Sequence, residues 1–232
     1  MVISMLIDNF NACPHMRVEV FEFNPLGVNT YVLYDETREC AVIDAACFYP
    51  DEEEQLTRFI ADNELVVKQL LNTHLHFDHL MGVNFTSSKY NVPLSCHEGD
   101  HFLMDDLPRQ LTQFGLPPLD YDVKPKAIIN LKEGDRVSFG NQLLEVLHVP
   151  GHSPGSLVFY NATAGCLFVG DVLFHSSIGR TDLYGGSYET LARGIREKLF
   201  TLPDETVVYP GHGPATTIGY EKKYNPFVGQ IR

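Results

Sequence analysis

Within seven residues, Thr73-His74-Leu75-His76-Phe77-Asp78-His79 supplies three imidazoles and a carboxylate, directly after the apolar run Val66, Val67, Leu70 and Leu71. That run predicts a strand over Val66–Asn72. Extending it through His74 and His76 sets both rings on one side, because strand side chains alternate with period two. Asp78 and His79 open a different pattern, in which Leu80, Met81, Val83, Asn84 and Phe85 recur at helical spacing and predict a helix to about Lys89. The two halves send ligand-type side chains toward one point from two directions. A lone histidine is usually a surface or hydrogen-bonded residue, but three beside an aspartate at a strand end are costly to arrange for stability alone. Imidazole and carboxylate are donors that divalent ions select. One ion does not need all four, so two ions sharing a site are expected, with more ligands downstream.

Three later stretches meet that demand, each where a strand is expected to end. Pro150-Gly151-His152-Ser153-Pro154-Gly155-Ser156 is a tight loop holding His152 past the strand Leu143–Val149. Val169-Gly170-Asp171 places a carboxylate, with two oxygens able to bridge two ions, after an apolar run, and Pro210-Gly211-His212-Gly213 follows the strand Thr206–Tyr209. Alone, each is a common turn.

The remaining chain supplies the frame. Arg17–Phe23, Tyr31–Tyr34 and Cys40–Asp44 read as an antiparallel opening, and Pro50-Asp51 starts a helix with Leu56, Phe59 and Ile60 as its stripe and its acids as a solvated face. A short run at Val92–Cys96 follows. Glu98–Lys126 is irregular, with two short helices and then Pro117-Pro118 and Pro125 breaking any period, and is read as a lid or a surface excursion. From Ile128 strands return (Ile128–Leu131, Arg136–Phe139, Leu143–Val149, Ser156–Tyr160, Cys166–Val169) and are expected to build a second sheet. Ser187–Leu199 is amphipathic, and a short helix from Thr216 closes the chain. The fold class expected is α/β, with two sheets face to face and helices outside. All 232 residues are expected in one domain, with residues 1–15 as a poorly ordered extension and Met16 as an alternative start.

A formal charge of −13 argues against a nucleic-acid backbone as partner, no run is long enough to span a bilayer, and no signal peptide is read. The five cysteines, Cys13, Cys40, Cys47, Cys96 and Cys166, are scattered, which fits a reducing cytoplasm. A small-molecule substrate and a monomer or small homo-oligomer are expected.

Taken together, the H-x-H-x-D-H stretch with His152, Asp171 and His212 in that order resembles the metallo-β-lactamase superfamily along nearly the whole chain. The resemblance implies an αββα sandwich of two mixed sheets with the ligand loops along one edge. It also implies that His74, His76 and His152 hold one ion, that Asp78, His79 and His212 hold the other, and that Asp171 bridges. True β-lactamases lack either His79 or the bridging aspartate, and this chain keeps both. Within the superfamily, Phe174–Leu183 and the ending Thr217–Phe227 look like the single-domain glyoxalase II-like (hydroxyacylglutathione hydrolase-like) branch. The family's basic residue for the glutathione carboxylate falls on Arg180, while its aromatic partner is replaced by Asp182. The C-terminal helical domain of glyoxalase II proper has no counterpart.

The implied activity is thioester hydrolysis, of S-lactoylglutathione or a related acyl-thiol, by a hydroxide bridging two divalent ions, with Zn2+ first and Fe or Mn as alternatives. Asp78 and Asp171 act through that hydroxide, Arg180 and Tyr184 bind substrate, and Asp44 and His175 orient the ligand imidazoles, as His97 and His148 could also do. Competing expectations are a mononuclear iron persulfide dioxygenase, a lactonase or phosphodiesterase of the same superfamily, and a non-catalytic metal module.

Overall fold

The computed structural model describes residues 16–229; the expectations for residues 1–15, Cys13 among them, lie outside them. Strands β1 (Arg17–Phe23), β2 (Val28–Tyr34) and β3 (Glu39–Ile43) pair antiparallel, and β4 (Val66–Leu71), β5 (Leu94–Cys96) and β6 (Ile128–Asn130) extend the sheet in parallel. The second sheet runs β14 (Thr216–Thr217), β13 (Val207–Pro210), β10 (Cys166–Gly170), β9 (Leu157–Asn161), β8 (Gln142–His148) and β7 (Arg136–Phe139). Ile128–Leu131, expected in the second sheet, therefore closes the first. It pairs with Leu94–Cys96 rather than with the hairpin that follows, a choice that local sequence does not encode.

Alternation decides what each face touches. Val18, Leu33, Ile43 and Leu71 of the first sheet meet Phe139, Val146, Phe159 and Phe168 of the second in a dry middle layer. On the outer face of the first sheet, helix α1 (Pro50–Asp62) packs Leu56 and Ile60 against Val32 and Val42. On the outer face of the second, α6 (Tyr188–Glu197) and α7 (Ile218–Tyr224) seat Leu191, Ile195 and Ile218 on Val158, Leu167 and Val208. This is the expected αββα order. Truncating a fully buried ring such as Phe159 to alanine would cost about 3–5 kcal/mol. Among the described residues no helix is long and apolar enough to cross a membrane.

Two local expectations are corrected. The acids opening α1 are not all solvated: the Glu52 carboxylate accepts from the backbone N–H groups of Phe48 (2.7 Å), Tyr49 (3.1 Å) and Asn24 (2.8 Å), capping the helix and tying the β1–β2 turn to it. The helix expected from Asp78 to Lys89 is two, α2 (Phe77–Leu80) and α3 (Val83–Tyr90). The break falls at Gly82, whose N–H donates to Ala45 C=O (3.0 Å) and where a Cβ would collide with Cys47 Sγ.

The order of strands delivers the site. Because β9 is antiparallel to both β8 and β10, and β13 is parallel to β10, the strands β8, β10 and β13 all point the same way. Their C-terminal ends open onto one rim, where Leu157 N–H donates to Thr73 C=O (2.7 Å) and Asn29 N–H to Gly211 C=O (2.7 Å), stitching the loops of the two sheets together.

Candidate metal centre

β4 stops at Leu71, so His74 and His76 sit in a loop and not on an extended strand as expected. Convergence comes from buried hydrogen bonds instead. Asn72 Nδ2 donates to the carbonyls of His74 (3.2 Å) and His79 (2.8 Å), folding the loop back onto the first turn of α2. Asp44 accepts from Thr73 N–H (2.7 Å) and Thr73 Oγ1 (2.6 Å).

Three imidazole nitrogens then meet: His152 Nε2 lies 2.9 Å from His76 Nδ1 and 3.2 Å from His74 Nε2. Beside them, His212 Nε2 lies 3.3 Å and His79 Nε2 3.8 Å from Asp78 Oδ2. Asp171 stands between the two sets, with Oδ1 3.5 Å from His79 Nε2 and Oδ2 3.6 Å from His152 Nε2 and 3.7 Å from His212 Nε2. Donors bound to a tetrahedral zinc at about 2.05 Å lie roughly 3.3 Å apart, the middle of these separations. His79 Nε2 and Asp171 Oδ1 are buried without a hydrogen-bond partner, which a divalent cation would supply. His74, His76 and His152, and Asp78, His79 and His212, are thus two sets able to hold a metal, with Asp171 between them.

In three of the rings the far nitrogen has its own partner, and this fixes which nitrogen faces the centre. His79 Nδ1 faces Asp44 Oδ2 (3.0 Å), His152 Nδ1 the backbone carbonyl of Arg180 (2.8 Å), and His212 Nδ1 the carbonyls of Leu26 and Gly27 (3.1 Å each). Asp44 also falls within reach of His74 and His79 as a third ligand-like group. Its oxygens are already occupied by Thr73 and His79, so it supports ligands and is not one.

Charge follows burial. Burial and the facing histidines push His74 well below the usual imidazole range and bring His76 down to about 3, so both are neutral donors at pH 7. Burial opposes ionisation of Asp78 and Asp171, but His79 and its neighbours outweigh it and hold both carboxyls low. Burial likewise opposes a charge on His79, and the three surrounding aspartates override it, raising His79 well above its ordinary value.

The other expected residues divide. Tyr184 and the Arg180 side chain line the cavity over the centre. His175 does not reach the ligands: it is exposed and stacks on Tyr220, with centroids 4.8 Å apart. Tyr188 donates to Phe227 C=O and lies off the cavity. His97 stacks on His148 (4.2 Å), whose Nε2 meets Pro154 C=O (2.8 Å), so this pair braces the His152 loop from outside. The four described cysteines are buried, and none belongs to the centre; burial above all drives the Cys40, Cys47 and Cys96 thiols up to about 12.

Two supports carried no sequence signal. Asp100, fully buried, accepts from Leu75 N–H (3.2 Å), Ser153 Oγ (2.7 Å) and Gly155 N–H (2.6 Å), joining the His74–His76 loop to the His152 loop. Gln110 accepts from Phe77 N–H (3.2 Å) and donates to Leu103 C=O (2.7 Å). It pins the irregular segment, here the helices α4 (His101–Asp105) and α5 (Leu107–Gln113), to the helix that bears Asp78.

Comparison with known proteins agrees with this geometry. The chain is 37% identical over 214 residues, 92% of its length and 98% of the relative's, to a protein of Haemophilus influenzae named hydroxyacylglutathione hydrolase GloC. Among solved structures, the B3 metallo-β-lactamase BLEG-1 superposes with a TM-score of 0.81 at 34% identity, covering 91% of this chain and 99% of that one. TTHA1623 in a di-iron-bound form gives 0.80 at 35%, covering 90% and 100%. The family model described as the metallo-β-lactamase superfamily matches residues 23–212, a span running from the end of β1 through the last histidine of the centre, and to that superfamily the chain belongs.

Proposed function

We propose that the protein is a binuclear metal-dependent hydrolase whose substrate is an acyl thioester. The observation that carries this is the position of Asp171, whose Oδ2 lies 3.6 Å from His152 of one ligand set and 3.7 Å from His212 of the other while its Oδ1 faces His79, at the floor of a cavity of about 350 Å³ that also exposes His76, Asp78, His152 and His212. When bound, two divalent ions supply a water of lowered pKa and polarise the acyl carbonyl.

The chain's own residues do the rest. Asp44 and the carbonyls of Arg180, Leu26 and Gly27 hold three rings with Nε2 inward, so the donor set is formed before substrate arrives. Phe77, Leu103, Phe114, Phe174 and Leu183 wall the cavity and exclude bulk water from the reacting carbon. No acid in the cavity is placed as a free proton donor: Asp78 and Asp171 belong to the donor set, and Asp106 is paired with Arg109. A thiolate leaves unaided, whereas an amine or alkoxide needs a proton. The name of the Haemophilus relative supports the same class.

The ligand set accepts zinc, iron or manganese. Elemental analysis of the purified protein, followed by assay on S-lactoylglutathione, a lactone, a phosphodiester and a β-lactam, tests the proposal. Two metals per chain and preferred thioester cleavage are expected. One iron per chain with oxygen uptake on a persulfide would replace it with the dioxygenase.

A further inference from the structure

Two arginines line the cavity, and they are not equivalent. Arg180 gives its guanidinium to Asp182 through Nε (2.7 Å) and Nη2 (2.8 Å) and lies over the ring of Phe114, 5.7 Å from its centroid. A paired fork of this kind is the strongest geometry that a carboxylate offers arginine; it largely neutralises the guanidinium and leaves its Nη1 side for any further anion. Arg109, on α5, meets Asp106 through Nε alone at 3.2 Å, leaving its Nη edge without an ion pair among the described residues.

Arg109 also stands at a junction. A second, open depression, lined by Phe102, Asp105, Asp106, Arg109 and Tyr184, adjoins the cavity and shares Asp106, Arg109 and Tyr184 with it. A leaving thiol must reach solvent, and this ridge joins the cavity to the open depression beside it. The ridge is fixed relative to the centre, because the neighbouring Gln110 bonds Phe77 beside Asp78. Asp105, the other acid there, is neutralised by Lys124. In a chain of net charge −13, an anionic ligand needs such a local cation to overcome the general field.

We infer that Arg109 is the anion anchor of the cavity, its free Nη edge receiving a carboxylate on the leaving thiol. The inference rests on the thioester reading, with a thiol of the kind the family resemblance implies, and adds to it the residue that receives the anion. Neither the ligand motif nor the family resemblance points to Arg109, which lies in the segment read from sequence as a lid or a surface excursion.

The test compares the glutathione and N-acetylcysteamine thioesters of one acyl group, the first with carboxylates on its thiol and the second with none. Both are assayed with the metal-loaded protein and with Arg109→Gln, Arg109→Lys and Arg180→Gln. Arg109→Gln is expected to raise KM for the glutathione thioester about fivefold relative to the neutral one, the size of one exposed charge pair, with the effect in KM and not in kcat. Lysine should restore part of it, and Arg180→Gln should move the ratio less. An unchanged ratio, equal losses on both substrates, or a larger shift from Arg180→Gln would overturn the assignment.

Calorimetric binding of S-methylglutathione and its dimethyl ester, neither of which turns over, separates the two claims. If no thioester is cleaved but the free acid binds more tightly in a way that Arg109→Gln abolishes, the anchor stands and the thioester reading falls. Thioester cleavage without that preference keeps the thioester reading and removes the anchor.

Discussion

The metal centre and the wall that faces it are built on opposite principles. In the centre, the ligands are buried or nearly so, and most rest on a further buried group: His79 on Asp44, His152 on the Arg180 carbonyl, and both histidine loops on Asp100. Across the cavity, Arg109, Arg180 and Tyr184 are exposed, the last at 71%, and the charged ones are held by the aspartates Asp106 and Asp182, Arg180 also lying over Phe114. The first arrangement fixes donors to within a fraction of an ångström, as metal chemistry requires. The second leaves side chains free to trade an internal partner for a ligand. On the proposed function, chemistry would reside in the rigid half and selectivity in the exchangeable half.

Substitutions should therefore fall in a steep order. Asp171→Ala removes the carboxylate between the two ligand sets; metal content should drop below two per chain and turnover by at least about a thousandfold. Wild-type metal content and rate in that variant would remove the bridge from the account. Asp100→Asn touches no cation, yet it weakens the tie between the two histidine loops. Chelator competition should show metal affinity lower by about 10–100-fold with the circular dichroism spectrum retained. An affinity equal to wild type would make Asp100 a packing residue only.

On the exchangeable side effects should be small. Tyr184→Ala should alter KM for a thioester by about two- to threefold, without change in bound metal, because so exposed a ring contributes little beyond one contact. A metal loss there comparable to that of Asp100→Asn would erase the contrast between the two halves.

The same contrast explains what could be read from the chain. Glycine spacing was informative where backbones crowd: a Cβ at Gly211 would strike Asp171 Oδ1 and come within 2.9 Å of His79 Cε1, so Gly211 is there because nothing larger fits, while Gly213 takes a φ of +71°. Gly170, at φ +50° with Thr73 Oγ1 against it, likewise gives Asp171 its approach. His175 misled because a histidine near a ligand in sequence carries no record of which way its loop turns. Here Ser176, at φ +59°, sits at the turn of the small hairpin β11 (Leu173–Phe174) with β12 (Ser177–Ile178), and the ring lies on Tyr220.

Sequence alone determined the donor set and the alternation of apolar residues that makes two sheets close face to face. Both are local: ligand chemistry belongs to the side chain, and burial pattern to the period of its strand. Only tertiary structure decided that Ile128–Asn130 joins the first sheet and that Asp100 and Gln110 clasp the ligand loops. It alone also showed Arg180 paired with Asp182 through two nitrogens and Arg109 with Asp106 through one. These depend on groups far apart in the chain competing for the same hydrogen bonds, and such competition is settled only when the whole chain has folded.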